Sequence, residues 1–348
     1  MGTHLICFQN WANRVSKILD TSNFDYVLPN KSIAQNPLDS RGDSRLLVDG
    51  SPVVHKLTKD LPSLLQAGDV LVLNETRVMP SRMKFKKPTG GIVEVLALEQ
   101  HENNCWEALV RPSRKVKAGT ELVNEIGDPV VHVGEATSKG TRYVWPLLDS
   151  MEELFDKYGQ VPLPPYIEDS LDDPERYQTV FSKREKSVAA PTAGLHLTEE
   201  TLSRSRELGV KVAKIELSVG IGTFKPITSE SIKEHVMHDE SYEISEGVWG
   251  ICQEAKRVVA VGTTVVRALE SAAATGKLAG RTDLFIAPGF EFKVVNALMT
   301  NFHLPRSSLL VMIEAFAGKR WKELYTLAID EGYRFLSFGD AMFIERSK

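Results

Sequence analysis

RVVAVGTTVVRALESAAATG, residues 257–276, decides how the chain is built. Val258 to Val261 is a short, apolar, β-branched run, so it reads as a buried strand. Gly262-Thr263-Thr264 reads as a turn. Val265 to Ala274 then carries a helical apolar pattern that stops at Gly276, a residue that accepts the left-handed backbone of a helix C-terminus. Strand, glycine turn and helix in that order form the building unit of an α/β sheet. The same unit leaves helix N–H groups free beside a strand end, which suits a polar ligand. Thr263 and Thr264 cap the helix or offer hydroxyls to such a ligand. Arg267 stands in the first turn with Glu270 almost one turn on, at pairing distance.

Outward from this unit, three further strands end in polar residues. VLVLNETRVMP (70–80) is a buried strand whose tip holds Asn74, Glu75, Thr76 and Arg77, and ligand groups gather beyond strand ends in α/β sheets. VKVAKIELSV (210–219) alternates as a strand and enters Gly220-Ile221-Gly222-Thr223-Phe224. Two glycines let that loop fold closely over a ligand, although the frame is neither a Walker loop nor GxGxxG. VVNALMTNFHLP (294–305) ends in Thr300-Asn301-Phe302-His303, where a histidine beside an aromatic suits acid–base work or base stacking.

SVAAPTAGLHLTEET (187–201) packs small residues and Gly194 ahead of His196 and a helix start. Thr198 is placed to cap that helix, but Thr201 stands where a full capping box wants Glu or Gln. Alone, this is a tight loop with a satisfied histidine; beside the other strand-end loops it becomes the floor of a ligand pocket, with Thr192 in it. Arg41, Asp43, Ser44 and Arg45 form a polar knot that on its own reads as surface pairing. Glu230 to Met237 reads as a short helix with His235 and His238 one turn apart and Glu240 beyond. A metal site there lacks the HExxH frame, and polar orientation of a substrate or a helix cap is the better account.

Composition changes at Arg82. From there to Leu148 nearly every segment is strand-like, with turns at Gly90-Gly91, Asn103-Asn104, Gly119, Gly127-Asp128 and Gly140. Short strands at that spacing predict a small β-barrel. Arg111, Arg114 and Lys115 belong to its basic residues, and with Trp106 and Phe85 they suit a polyphosphate backbone. The expected organisation is a leader over 1–22, a discontinuous α/β core over 23–81 and 149–348, and an inserted barrel over 82–148.

The chain has 348 residues and a formal net charge of −4, which argues against general coating of nucleic acid. Its three cysteines form no CxxC pair, so a disulfide framework or thiolate zinc site is not expected and a reducing cytoplasm is. No apolar run reaches the span of a membrane.

RGDSRLL, GDVLVLNETRVMPSRM, WEALVRPS, PLPPYI, RYQTVF, AAPTAGLH, VGIGTFKP, EHVMHDE, VGTTVVRALES and TNFHLPRSSLL follow one another in this order. Together, from Phe24 to the C-terminus, they resemble the S-adenosylmethionine:tRNA ribosyltransferase-isomerase family of queuosine synthesis. The resemblance implies an α/β core with an inserted barrel and a monomeric cytoplasmic enzyme. Its partners would be S-adenosylmethionine and tRNA carrying 7-aminomethyl-7-deazaguanine. The ribosyl part of S-adenosylmethionine is transferred and isomerised, adenine and methionine leave, and epoxyqueuosine-tRNA results. S-adenosylmethionine is then a consumed substrate, and no cofactor or metal is implied. One departure stands out: Ser218 occupies the place of the histidine in an expected LHVGxGTF.

That reaction needs a base for a proton beside the sulfonium and help for the departing adenine. Histidine suits both, so His196, His303 and His238 are the catalytic candidates. Asp43, Arg45, Asn74, Thr76, Arg77, Thr192, Gly194, Gly222, Thr223, Phe224, Glu240, Thr263, Arg267, Asn301 and Phe302 are the substrate-binding candidates. Hydroxyls and a guanidinium suit ribose and carboxylate, and Phe302 or Phe224 suits a stacked base. Arg111, Arg114 and Lys115 are the expected tRNA contacts. The competing classes are a non-catalytic tRNA-binding protein and a metal-dependent hydrolase using His235 and His238.

Overall fold

The structure, a computed structural model, describes residues 19–220, 226–237 and 239–347. It divides into two compact units. One runs up to Glu75 and adds Pro164–Ser182 and the chain from Pro191 onward; the other comprises Thr76–Leu163 and Lys183–Ala190. The second unit therefore takes in more than the expected 82–148 insert, namely residues 76–81 before it, the helix after it as far as Leu163, and Lys183–Ala190.

In chain order, β1 is Arg45–Val48, β2 Val54–Leu57, β3 Asp69–Asn74 and β4 Thr76–Val78. Then come β5 (Arg82–Lys86), β6 (Ile92–Gln100), β7 (Trp106–Arg111), β8 (Thr120–Val123), β9 (Pro129–Ala136) and β10 (Arg142–Pro146). Helix α1 (Met151–Tyr158), β11 (Arg184–Ser187), α2 (Glu199–Glu207), β12 (Lys211–Leu217), β13 (Glu240–Glu243) and α3 (Glu246–Glu254) follow. The chain ends with β14 (Arg257–Val261), α4 (Thr263–Thr275), β15 (Ala279–Thr282), β16 (Ala297–Asn301), α5 (Ser308–Ala317), α6 (Arg320–Asp330) and β17 (Ala341–Glu345).

The first unit is built on a nine-stranded mixed sheet, ordered β15-β13-β12-β3-β14-β16-β17-β1-β2. Its centre is parallel: β3 pairs with β12 on one side and β14 on the other, and β14 pairs with β16. All residues of β3 are buried, as the continuous apolar run requires of a strand covered on both faces. Leu71, Leu73, Val259, Val261, Ala297 and Met299 form one core with Ala193, Leu197 and Leu202. Gly262 turns β14 into α4 with φ 90°, and Gly276 ends α4 at φ 71° with its N–H on the Ala272 carbonyl. Side chains at these φ values are strained, which is why this unit was legible from its glycines.

The second unit holds a closed antiparallel barrel, β10-β7-β6-β5-β8-β9. Phe85 and Trp106 are buried, packed edge-on against Tyr158 and Phe155 of α1, and cannot stack on a nucleic acid. Ser150 caps α1 through Glu153 N–H. The last strand pair of this unit is β4 with β11, parallel.

At the start of β3, Asp69 is fully buried and accepts from Arg257 Nη2 at 2.6 Å and from the Gln66 N–H at 3.0 Å. Arg257 also holds the Leu64 carbonyl at 2.8 Å. Arg257 is partly exposed and also pairs with Glu345 at 2.7 Å, so losing Asp69 costs the worth of a charge-assisted hydrogen bond, about 1.5–3 kcal/mol. Asp69→Ala should therefore lower the urea midpoint of the sheet unit sharply; a midpoint within experimental error of the parent would refute this role for the pair.

Candidate active site

Because β12, β3, β14 and β16 run parallel, their C-terminal ends lie along one edge of the sheet. Asn74, Leu217, Gly262 and Asn301 mark that edge. Asn74 is buried and spans its neighbour: Nδ2 donates to the Leu217 carbonyl at 2.9 Å and Oδ1 accepts the Leu217 N–H at 3.2 Å. Nδ2 also reaches Thr264 Oγ1 at 3.4 Å. The strand tip thus locks β12 and α4 to β3, a bracing role rather than an open binding group. Thr263 is buried, and no side chain caps α4.

The 3-10 turn Thr192–His196 brings His196 to the end of β16. Asn301 Nδ2 donates to His196 Nε2 at 2.9 Å and to the Asp340 carbonyl at 3.3 Å. Thr192 Oγ1 donates to Asn301 Oδ1 at 2.9 Å. His196 is 4 % exposed. Burial, with Arg334 and Arg41 beside it, pushes its pKa down to about 4, so the ring is neutral near pH 7. Arg41 donates to the carbonyls of Leu195 at 3.0 Å and Glu175 at 2.8 Å. Ser40, Arg41, Ser44, Arg176, His196 and Ser337, among others, line a small cavity of about 20 Å³.

His303 lies two residues beyond Asn301, yet its ring turns elsewhere. Its Nε2 is 3.1 Å from Thr300 Oγ1, and its backbone N–H donates to Tyr325 Oη at 3.0 Å. Burial lowers its pKa to about 3. Adjacent strand residues point to opposite faces, so Thr300 holds His303 on one side of the sheet while Asn301 holds His196 on the other. The two histidines are not assembled as a pair.

A second polar group surrounds Arg267. This buried guanidinium pairs with Glu240 and donates to the carbonyls of Leu284 and Thr282, both at 3.2 Å. Glu240 Oε1 accepts the Gly220 N–H at 2.9 Å. The expected Arg267–Glu270 pair is not formed. Glu270 instead receives the N–H groups of Lys293, Val294 and Val295 at 2.8–3.0 Å, because three aligned backbone donors are already there to satisfy its buried carboxylate.

Residues 21–344 match the model of the family described as queuosine biosynthesis protein. The chain belongs to that family. As a member of it, the chain is 46 % identical over 333 residues to the S-adenosylmethionine:tRNA ribosyltransferase-isomerase of Carboxydothermus hydrogenoformans, covering 92 % of this chain and 98 % of that one. It is 47 % identical over 342 residues to the Moorella thermoacetica protein of the same name, with coverage of 92 % and 98 %. A solved structure of S-adenosylmethionine tRNA ribosyltransferase from Thermotoga maritima matches with TM-score 0.53 and 36 % identity, covering 93 % of this chain and 100 % of that chain.

Several candidate residues of this family member have structural work instead. Phe302 is wholly buried, packed on Phe335 with ring centroids 4.8 Å apart, and cannot stack a base. Gly194 is small because a Cβ there would meet Phe181 at 2.9 Å and Thr179 at 3.0 Å; protein, not ligand, fills that space. Asp43 pairs with Lys59 at 2.9 Å on the surface. Arg45 lies over the Tyr333 ring at 3.7 Å and donates to the Glu331 carbonyl. Thr76 and Arg77 belong to the barrel unit, where Thr76 is buried and Arg77 pairs with Glu185 at 3.5 Å. The expected helix over 230–237 is only a 3-10 turn, Ile232–Glu234, and His235 is extended, so His235 has no helical spacing to share. Ser231 ends the approach by capping that turn. His238, Gly222, Thr223 and Phe224 lie outside the described residues.

Two residues beside His196 were missed. Asp340, whose carboxylate accepts the N–H groups of Arg45 and Arg334 at 2.8 Å, sits in a C-terminal loop that carries no recognisable signal. Arg41 stood in the polar knot but was read there as surface pairing. An acid-stability test follows from the two histidines. Unfolded, both take up protons below about pH 6.5; folded, they resist to about 4 and 3. Their contribution is complete above about 6.5 and is lost as the pH falls. Urea stability should therefore drop from about pH 7 to about pH 5 with a slope near two protons, and His303→Leu should remove about one. A flat profile in the parent would contradict the burial of neutral histidine.

Proposed function

We propose that the protein transfers and isomerises the ribosyl moiety of S-adenosylmethionine onto the 7-aminomethyl-7-deazaguanine of tRNA, giving epoxyqueuosine-tRNA and releasing adenine and methionine. The observation that carries this reading is the near full-length likeness to relatives bearing the name of that enzyme. In support, Thr192 and Asn301 at the sheet edge gather at His196. S-adenosylmethionine serves as a substrate, with no further cofactor. No helix among the described residues is long and apolar enough to cross a membrane; a cytoplasmic, monomeric enzyme is the proposed form.

The sulfonium acidifies the C5′ hydrogens, and a positioned base must still remove one. His196, His303 and His238 are the proposed participants. Thr192 and Asn301, beside His196, and Thr223 and Phe224 are among the proposed substrate-binding residues. The inserted barrel would present tRNA contacts through Arg111, Arg114 and Lys115, all exposed.

The direct experiment mixes the protein with S-adenosylmethionine and tRNA bearing the aminomethyl-deazaguanine, then measures free adenine. Stoichiometric release is expected; a folded sample that releases none would overturn the reading, and retention of tRNA without turnover would favour the binding-protein alternative. Replacing Arg111, Arg114 and Lys115 together by Ala should raise the KM for tRNA and reduce the slope of log KM against log salt by about two. An unchanged slope would place the tRNA on another surface.

A further inference from the structure

We infer that His196 acts as a hydrogen-bond donor through Nδ1–H to the departing purine, and that Asn301 is the positioning residue that fixes this tautomer. The inference rests on the proposed ribosyl transfer. It gives His196 the role of assisting the leaving group and removes it from the role of base.

The argument begins at the Asp340 carbonyl. A carbonyl oxygen only accepts, so the Asn301 atom 3.3 Å from it is the amide nitrogen. The Thr192 hydroxyl, 2.9 Å from the other end of the amide, donates to Oδ1. With the amide so oriented, its nitrogen also donates to His196 Nε2 at 2.9 Å. Nε2 is then the unprotonated ring nitrogen, and a neutral imidazole carries its proton on Nδ1. The neutral form is the one present near pH 7, because burial and the guanidinium groups of Arg334 and Arg41 oppose a second positive charge.

Nδ1 makes no hydrogen bond with any described residue. The cavity lined by His196 is bordered by the positive charges of Arg41 and Arg176, whose N–H groups hold backbone carbonyls, and by Ser40, Ser44 and Ser337. At about 20 Å³ it admits one water or a single protruding atom. A base would need a free lone pair in surroundings that tolerate the charge it gains. His196 offers the reverse, since its lone pair is occupied and the field around it is positive. Those surroundings suit an acceptor atom that becomes electron-rich. In the proposed reaction that atom is a purine ring nitrogen. As the C1′–N9 bond breaks, its electron pair passes to the purine, the Nδ1–H bond to a ring nitrogen strengthens, and solvent supplies the proton that completes adenine. His196 keeps its own proton throughout.

The test exploits the shape of amide side chains. The nitrogen of Asn overlays Nδ1 of histidine, and that of Gln overlays Nε2. His196→Asn should keep single-turnover adenine release within about tenfold, whereas His196→Gln should lose about 100-fold or more, the usual cost of one preorganised donor. A Gln variant as active as the Asn variant would refute the donor role. Independently, ¹⁵N–¹H correlation of the histidine ring in the full chain should show the proton on Nδ1, and Asn301→Asp should move it to Nε2. A ring protonated at Nε2 in the parent would overturn the inference whether or not adenine is released. Failure of the parent to release adenine, with the ring protonated on Nδ1, would instead discard the reaction assignment.

Discussion

The amide of Asn301 is the constraint on which the site depends. It joins three pieces of chain far apart in sequence: the turn holding Thr192 and His196, the end of β16, and the loop at Asp340. Both of its N–H groups and its oxygen are engaged by groups whose donor or acceptor sense is fixed or set by the others. A buried network of that kind rigidifies because leaving any member unpaired costs more than a single bond is worth. It orients the imidazole without a carboxylate, and so without raising the basicity of the ring. Asp340 is at hand, but its carboxylate is taken by the backbone N–H groups of Arg45 and Arg334. This separates orientation from charge: the protein holds the ring in place through dipoles and leaves the neighbouring guanidinium groups to set its protonation.

A similar economy operates around Arg267. Its guanidinium meets Glu240 and two carbonyls of the segment Thr282–Leu284, and Glu240 in turn holds the N–H of Gly220. The first turn of α4 thereby anchors β13 and the entry to the glycine loop. Desolvating both charges is costly, and Nε and Nη2 offset part of that cost by donating to the Leu284 and Thr282 carbonyls. The guanidinium read as a ligand clamp is thus engaged by protein groups, Glu240 and two backbone carbonyls.

Much of the fold was legible because its signals are local. Gly262 and Gly276 announce their backbone angles, Thr198 announces a helix start by capping Thr201 N–H, and the barrel announces itself by turns at short intervals. The site was legible only in part. His196, Thr192 and Asn301 could be picked out as polar residues at element ends, but nothing in a linear chain tells which way a side chain turns. Thr300 and Asn301 are neighbours in sequence, and the strand pleat sends their partners to opposite faces. Phe302, adjacent again, enters the aromatic core. Gly194 likewise gave a true signal of close approach, with Phe181 as the visitor. Distinguishing a ligand from a packed side chain requires knowing what else fills the space, which is a property of the whole fold.

The closure of the barrel carries a consequence for how the chain behaves in company. A closed ring of strands has no unpaired edge, so the barrel itself offers nothing for another chain to extend by strand addition. The open sheet does have two edges, β15 and β2. Both are four residues long, and they carry Arg281 and Lys56 respectively. Gly280, with φ 152°, further weakens β15 as a template. Short, charged margins on the open sheet and none on the barrel leave both poorly equipped for self-association through strands.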